Sequence, residues 1–203
     1  SSAGAALVSV SGPSSSSGIA PQIIAAPVDT RNNATPFSGQ VGFDEKQGVV
    51  LLSSLTIDGG GTIAAGVRVN SHMIYLERLR GEGQPAVVRH HDVEWTFDGP
   101  VLGVMSSQGG GREAASRSVL GLDGTAYAQF SNRGMESNDG YTIDGSTLTV
   151  NMRVTEPGDW IRVVTLAPDV RTESVPENGG WLLGAISVLS MAALRRRLGR
   201  KAA

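Results

Sequence analysis

The chain has 203 residues, a formal net charge of −2, 27 glycines, few aromatic residues and no cysteine. The length suffices for one domain with a sizeable core, and the missing cysteines exclude disulfides, thiolate nucleophiles and cysteine-based zinc sites. The charge averages two unlike regions: Arg195, Arg196, Arg197, Arg200 and Lys201 hold five of the 17 basic charges, leaving 12 against 19 acidic residues, near −7, and a body of that sign has no electrostatic footprint for nucleic acid.

Residues 1–36 are rich in Ser, Ala and Pro, with short strand-like runs at "ALVSV" and "QIIAA". They read as an extended, partly mobile leader. The opening "SSAGAALVSVSG" lacks the basic start of a secretory signal, so an export signal is expected upstream of Ser1.

Residues 37–168 read as one β-rich domain. Nine strand-sized runs, from "GVVLLSSLTID" to "DWIRVVTL", alternate with turn chemistry at the spacing of an antiparallel, jelly-roll-like β-sandwich. Asp144-Gly145 suits a two-residue hairpin turn, after which Leu148, Val150, Met152 and Val154 fall on one face. The turn "EPGD" is expected to add "DWIRVVTL" as the third strand of a meander. One short helix is expected from Arg112 to Leu120, stopped by Gly121.

The chemistry-bearing residues of this domain are sparse. His72, His90 and His91 are the three histidines, and adjacent strand positions send His90 and His91 to opposite faces. A metal site from His72, one of that pair and Asp92 or Glu94 has no ligand-spacing motif, so surface strand histidines are the preferred reading. The glycine run Asp58–Gly66 continues as a strand rather than a helix, which makes it a flexible hairpin connection instead of a phosphate loop. The run Ser106–Ser116 reads as a loose surface loop leading into the short helix. Acidic turns at Asp58, Asp123, Glu136–Gly140 and Asp144 suit structural calcium in kind but match no calcium motif, and ordinary β-turns use the same residues, so no cofactor is expected. Glu94, Asp98, Glu136 and Asp159 are the carboxylates that a glycosidase would need to pair in one cleft. Trp95 and Trp160 suit either the core or a sugar-stacking platform.

A linker occupies residues 169–178, and residues 179–203 form a hydrophobic helix with a basic end. Seventeen uncharged residues separate Glu177 from Arg195, with an apolar centre that includes Trp181, Leu182, Leu183, Ile186, Val188, Leu189 and Leu194. As a helix they span roughly 25 Å against a hydrocarbon core of ~30 Å. The alternative is a C-terminal helix docked on the body, but the apolar residues follow no single stripe. Arg195, Arg196 and Arg197 directly after the span favour cytoplasmic retention, with the body outside.

The order Val175-Pro176-Glu177, apolar stretch, Arg195-Arg196-Arg197 resembles a PEP-CTERM sorting signal, with Asn178 where that family usually carries a second proline. The resemblance covers about 29 residues. It implies export by a Gram-negative bacterium, processing by an exosortase, a membrane-embedded cysteine peptidase that recognises the Val-Pro-Glu motif, and a final place in the envelope or extracellular matrix. Gly179-Gly180 also resembles the GlyGly-CTERM signals handled by rhomboid-like proteases, and Val-Pro-Glu favours the first class. The body, through "GFDEKQGVVLL", "SHMIYLE", "TFDGPVLGVM" and "EPGDWIRVV", is similar to the β-rich ectodomains of PEP-CTERM proteins. The expected function is a structural or adhesive surface protein without catalytic activity, the alternatives being a carbohydrate-binding module for exopolysaccharide or a polysaccharide hydrolase.

Overall fold

A computed structural model describes residues 7–30, 37–79, 81–127, 133–155 and 158–168. The chain divides into two units, Ser1–Pro168 and Asp169–Ala203, and the described residues all belong to the first. In chain order they form β1 (Leu7–Ser11), β2 (Gln22–Ile23), β3 (Val41–Asp44), β4 (Val49–Val50), β5 (Leu55–Thr56), β6 (Thr62–Ile63), β7 (Arg68–Leu76), β8 (Val88–Phe97), β9 (Val101–Met105), α1 (Gly111–Leu120), β10 (Gly140–Asp144), β11 (Thr147–Val154) and β12 (Asp159–Leu166). Among the described residues the fold is all-β with one α-helix and no closed barrel. One sheet has the order β1-β8-β11-β10, and the second has β2-β3-β7-β12-β9 with β4 also on β7. A small hairpin joins β5 to β6 across a 3-10 turn at Asp58–Gly60.

The first sheet obeys simple alternation. Along β11, Leu148, Val150, Met152 and Val154 are buried while the residues between them are partly exposed. The same holds on β8 until His91 and Asp92 both oppose Asn151, a bulge that lets His90 and Val93 both point inward. Asp92 takes a φ of 55°, and its N–H donates to Asn151 Oδ1 at 2.7 Å. The hairpin from β10 to β11 turns on Gly145 and Ser146, one residue later than expected. Gly145 has a φ of 59°, which suits the turn class that takes glycine at its first central position.

The second sheet is covered on both faces. On β12, Ile161 and Val163 join a core cluster with Trp95, Phe97, Leu148 and Met152 of the first sheet. Trp160 and Val164, on the opposite face, pack with Tyr75 and Tyr127 and with Met105 and Leu120 respectively. Every β12 residue except Leu166 is buried, so the strand needs neighbours on both edges and both faces. It therefore lies between β7 and β9 and does not pair with β11, and the expected meander is corrected accordingly. Burying an aliphatic or aromatic side chain of this kind contributes about 1.5–3 kcal/mol.

The segment read as a leader is built into this body. Leu7 is buried in the shared core, β1 forms an edge of the first sheet and β2 runs parallel to β3. Its serines act as bonding groups rather than as solvated filler: Ser15 Oγ donates to Ser38 O at 2.6 Å and accepts from the N–H groups of Ser17 and Ile19.

Candidate functional site

The face of the second sheet beneath α1 holds an ionic centre. Glu45 follows β3, Arg162 lies midway along β12, and both side chains are fully buried. Arg162 donates from Nε to Glu45 Oε2 at 2.6 Å and from Nη2 to Oε1 at 2.9 Å, a two-point match of guanidinium to carboxylate. Its Nη1 donates to the Glu113 carbonyl and to Ser116 Oγ, which ties the pair to α1. The remaining Glu45 sites accept from Tyr127 at 2.6 Å and Ser71 at 2.7 Å. Burial opposes the Arg162 charge, but Glu45 outweighs it and raises the guanidinium pKa overall; burial and Glu45 together raise the Tyr127 phenol. This centre is saturated with protein partners.

A second polar centre lies at the start of α1. The Asp58 carboxylate accepts from Arg112 Nη1 at 2.7 Å, from Ser106 Oγ at 2.6 Å and from Tyr141 Oη at 3.1 Å. Burial first, then Asp58, pushes the Tyr141 phenol up to about 12. Glu113, in the first turn of α1, is completely buried and its Oε1 has no hydrogen-bond partner. Burial, reinforced by the Asp58 charge, pushes its carboxyl up to about 7. Beside these groups a groove of about 310 Å³ runs between residues 53–56 and α1, lined by Ser54, Thr56, Met105, Arg112, Ser116 and Val119 among others. A carboxyl whose pKa is raised toward neutrality, as that of Glu113 is, is what a general acid requires. A general acid must also touch its substrate, and Glu113 has no exposed surface from which to do so.

Sequence reading placed Asp58 in a flexible connection and Ser106–Ser116 in a loose loop. The hairpin is present, but Asp58 anchors four elements of structure, and Ser106, Glu113 and Ser116 are buried. The helix spans Gly111–Leu120 and ends at Gly121. The inward face carries Glu113, Ser116 and Leu120, so it bonds as well as packs.

The histidines are a correction to the surface reading. His72 has no exposed surface, lies 2.8 Å from Asp44 Oδ1 and 3.0 Å from Thr165 Oγ1, and packs on Phe97. This Asp-His-Thr array resembles a nucleophile relay in outline, but Thr165 is fully buried. His90 is also buried, on the first sheet, while His91 faces solvent. Among the described residues no group of three or more His, Asp or Glu is placed to hold a metal ion.

Of the four carboxylates weighed for glycoside cleavage, Glu136 and Asp159 are close enough to interact. Burial, then the charges of Asp139 and Glu136, pushes Asp159 up to about 8, with Arg133 opposing. Glu94 lies on the solvent face of β8 between Ser11 and Thr149, and Asp98 sits apart near His72, Asp44 and Asn70. Trp95 and Trp160 are both fully buried, so neither forms a sugar-stacking platform. Trp95 instead donates from Nε1 to Gln40 Oε1 at 3.1 Å.

The residues expected to form a sorting signal, Val175-Pro176-Glu177, the apolar span beginning at Trp181 and the arginines from Arg195, lie outside the described residues. Among the described residues no helix is long and apolar enough to cross a membrane. Compared with known protein families, curated proteins and solved structures, the chain shows no match.

Proposed function

We propose that this chain is an exported structural or adhesive protein of the cell envelope or extracellular matrix, processed at a PEP-CTERM-like signal. The observation that carries the proposal is the order of the tail: Val175-Pro176-Glu177, then 17 uncharged residues from Asn178 to Leu194, then Arg195-Arg196-Arg197. In this reading an exosortase-type membrane peptidase is the processing partner, and the apolar span holds the precursor in the inner membrane with its arginines on the cytoplasmic side.

The body is read as a jelly-roll-like β-sandwich, supported by side chains of two sheets sharing one core cluster. A non-catalytic role fits the internal saturation of the Glu45–Arg162 centre and the burial of Glu113 and Thr165. No cofactor enters this reading.

The test is intact-mass analysis with C-terminal peptide mapping of the protein recovered from its native cells, separately for membrane and medium. A species ending between Pro176 and Gly180 is expected in the medium. A chain that ends at Ala203 in every fraction would sink the sorting reading.

A further inference from the structure

The outer face of the first sheet carries charge at one end that the protein itself does not neutralise. Arg89 on β8 and Arg153 on β11 are direct cross-strand partners, with Cα atoms about 5 Å apart. Like charges placed opposite one another destabilise a sheet. Among the described residues neither guanidinium forms a hydrogen bond or an ion pair. Asp139 accepts from the backbone N–H groups of Arg153 and Glu136, and Asp92, exposed on the β8 bulge, pairs with neither arginine. Arg78 adds a third guanidinium at this end, donating to the carbonyl of Thr155 just past β11. By contrast, Arg162, Arg112 and Lys46 pair with acids, and Arg117 and Arg133 lie over the rings of Tyr127 and Trp160.

Beyond the arginines the same face is hydroxylated. Thr96, Thr147, Thr149 and Thr142 are neighbours in register, with Ser9 and Ser11 on the β1 side. The outward positions of β8 and β11 hold no Phe, Tyr or Trp. Two acids stand among the hydroxyls: Glu94 opposes Thr149, and Asp144 opposes Thr147. The Glu94–Thr149 pair lies four residues from Arg153 along β11, about 13 Å.

We infer that this face binds a polysaccharide whose acidic sugars are separated by neutral ones. An acidic group lies between Arg89 and Arg153, which bind oxyanions through paired N–H groups. The neutral sugars next to it exchange hydrogen bonds with the threonines and donate to Glu94. The charge pattern selects against a densely charged polyanion, because a further acidic group along the strands would meet Glu94 and Asp144. On an open face one ion pair is weakened by water and salt, so affinity comes from engaging both parts of the face at once. This deepens the proposed matrix role and rests on it for the source of the ligand.

The test is titration of the full-length chain at low ionic strength with three hexasaccharides. Hyaluronan has carboxylates that alternate with neutral sugars, polygalacturonate carries one on every sugar, and chitohexaose is neutral. Hyaluronan is expected to bind tightest. Arg89→Gln with Arg153→Gln should weaken it at least about tenfold, with no fall in melting temperature because a like-charge pair is removed. Glu94→Gln should instead strengthen the binding of polygalacturonate. In the wild-type chain the Nε–H resonances of Arg89 and Arg153 should shift as hyaluronan is added, a readout that needs no variant. The inference is overturned if no sugar binds, if chitohexaose or polygalacturonate binds as well as hyaluronan, or if the double arginine variant binds like wild type. Any of these results leaves the sorting reading standing, since that reading is decided by the mass of the C-terminal peptide.

Discussion

Replacing Arg162 by Met is expected to be among the most damaging single changes in the β-rich body. The methionine fills part of the same space but removes four hydrogen bonds: two to Glu45, one to the Glu113 carbonyl and one to Ser116. Glu45 then keeps only the Tyr127 and Ser71 hydroxyls and remains a carboxylate without a counter-charge, with no exposed surface to recruit water. Breaking a buried pair from one side costs about 3–5 kcal/mol, against a total stability of about 5–15 kcal/mol. For a domain of this size that is a fall in Tm of roughly 6–20 °C. Urea unfolding of the full-length protein followed by circular dichroism gives the loss, provided the urea slope matches wild type. The double variant Glu45→Gln with Arg162→Met removes the stranded charge and should recover at least about 1 kcal/mol of that loss. A loss under about 1 kcal/mol for Arg162→Met, or strict additivity in the cycle, would refute the argument.

The pH dependence of stability has a sign set by two buried acids. Glu113 near 7 and Asp159 near 8 both bind protons more tightly folded than unfolded, so their contribution is complete below about pH 4 and is lost as pH rises through 7 and 8. The urea midpoint should therefore fall between about pH 5 and 8, and Glu113→Gln with Asp159→Asn should flatten that fall; an undiminished slope in the double variant would show the assignment to be wrong. Gly42 lies under the Trp95 ring, where an added Cβ would meet a ring carbon at 2.6 Å. Gly42→Ala should cost about 1–3 kcal/mol in thermal melts while Gly124→Ala, with open space around it, stays near wild type; equal melting of the two would contradict the packing.

Local pattern carried the β class, the face made by Leu148, Val150, Met152 and Val154, and the helix that stops at Gly121. Each is written within a few consecutive residues. Long-range partnerships were not legible, because Arg162 meets Glu45 across 117 positions and Tyr141 meets Asp58 across 83. One signal was available: Arg162 interrupts the otherwise apolar run "WIRVV", and a strand buried on both faces must neutralise such a residue internally. Histidine exposure failed for a related reason, since alternation alone cannot tell which face of β7 is solvated when neither is. Composition misled at the N-terminus, where serine and proline dominate but Leu7 and Ser15 fasten the segment to the rest.

The last of the described strands is also one of the most enclosed, with every residue but Leu166 buried. β12 lies between β7 and β9, so the second sheet stays split until residues 159–166 have arrived, about 150 residues after β1 was made. Loop-closure entropy makes such non-local pairing slow. During synthesis from the N-terminus β9 therefore lacks its partner and one edge of β7 stays open until residues 159–166 emerge, and any truncation before Asp159 removes the strip that joins them. Closure of the second sheet is thus a late step, held back by topology until Asp159–Leu166 has been delivered.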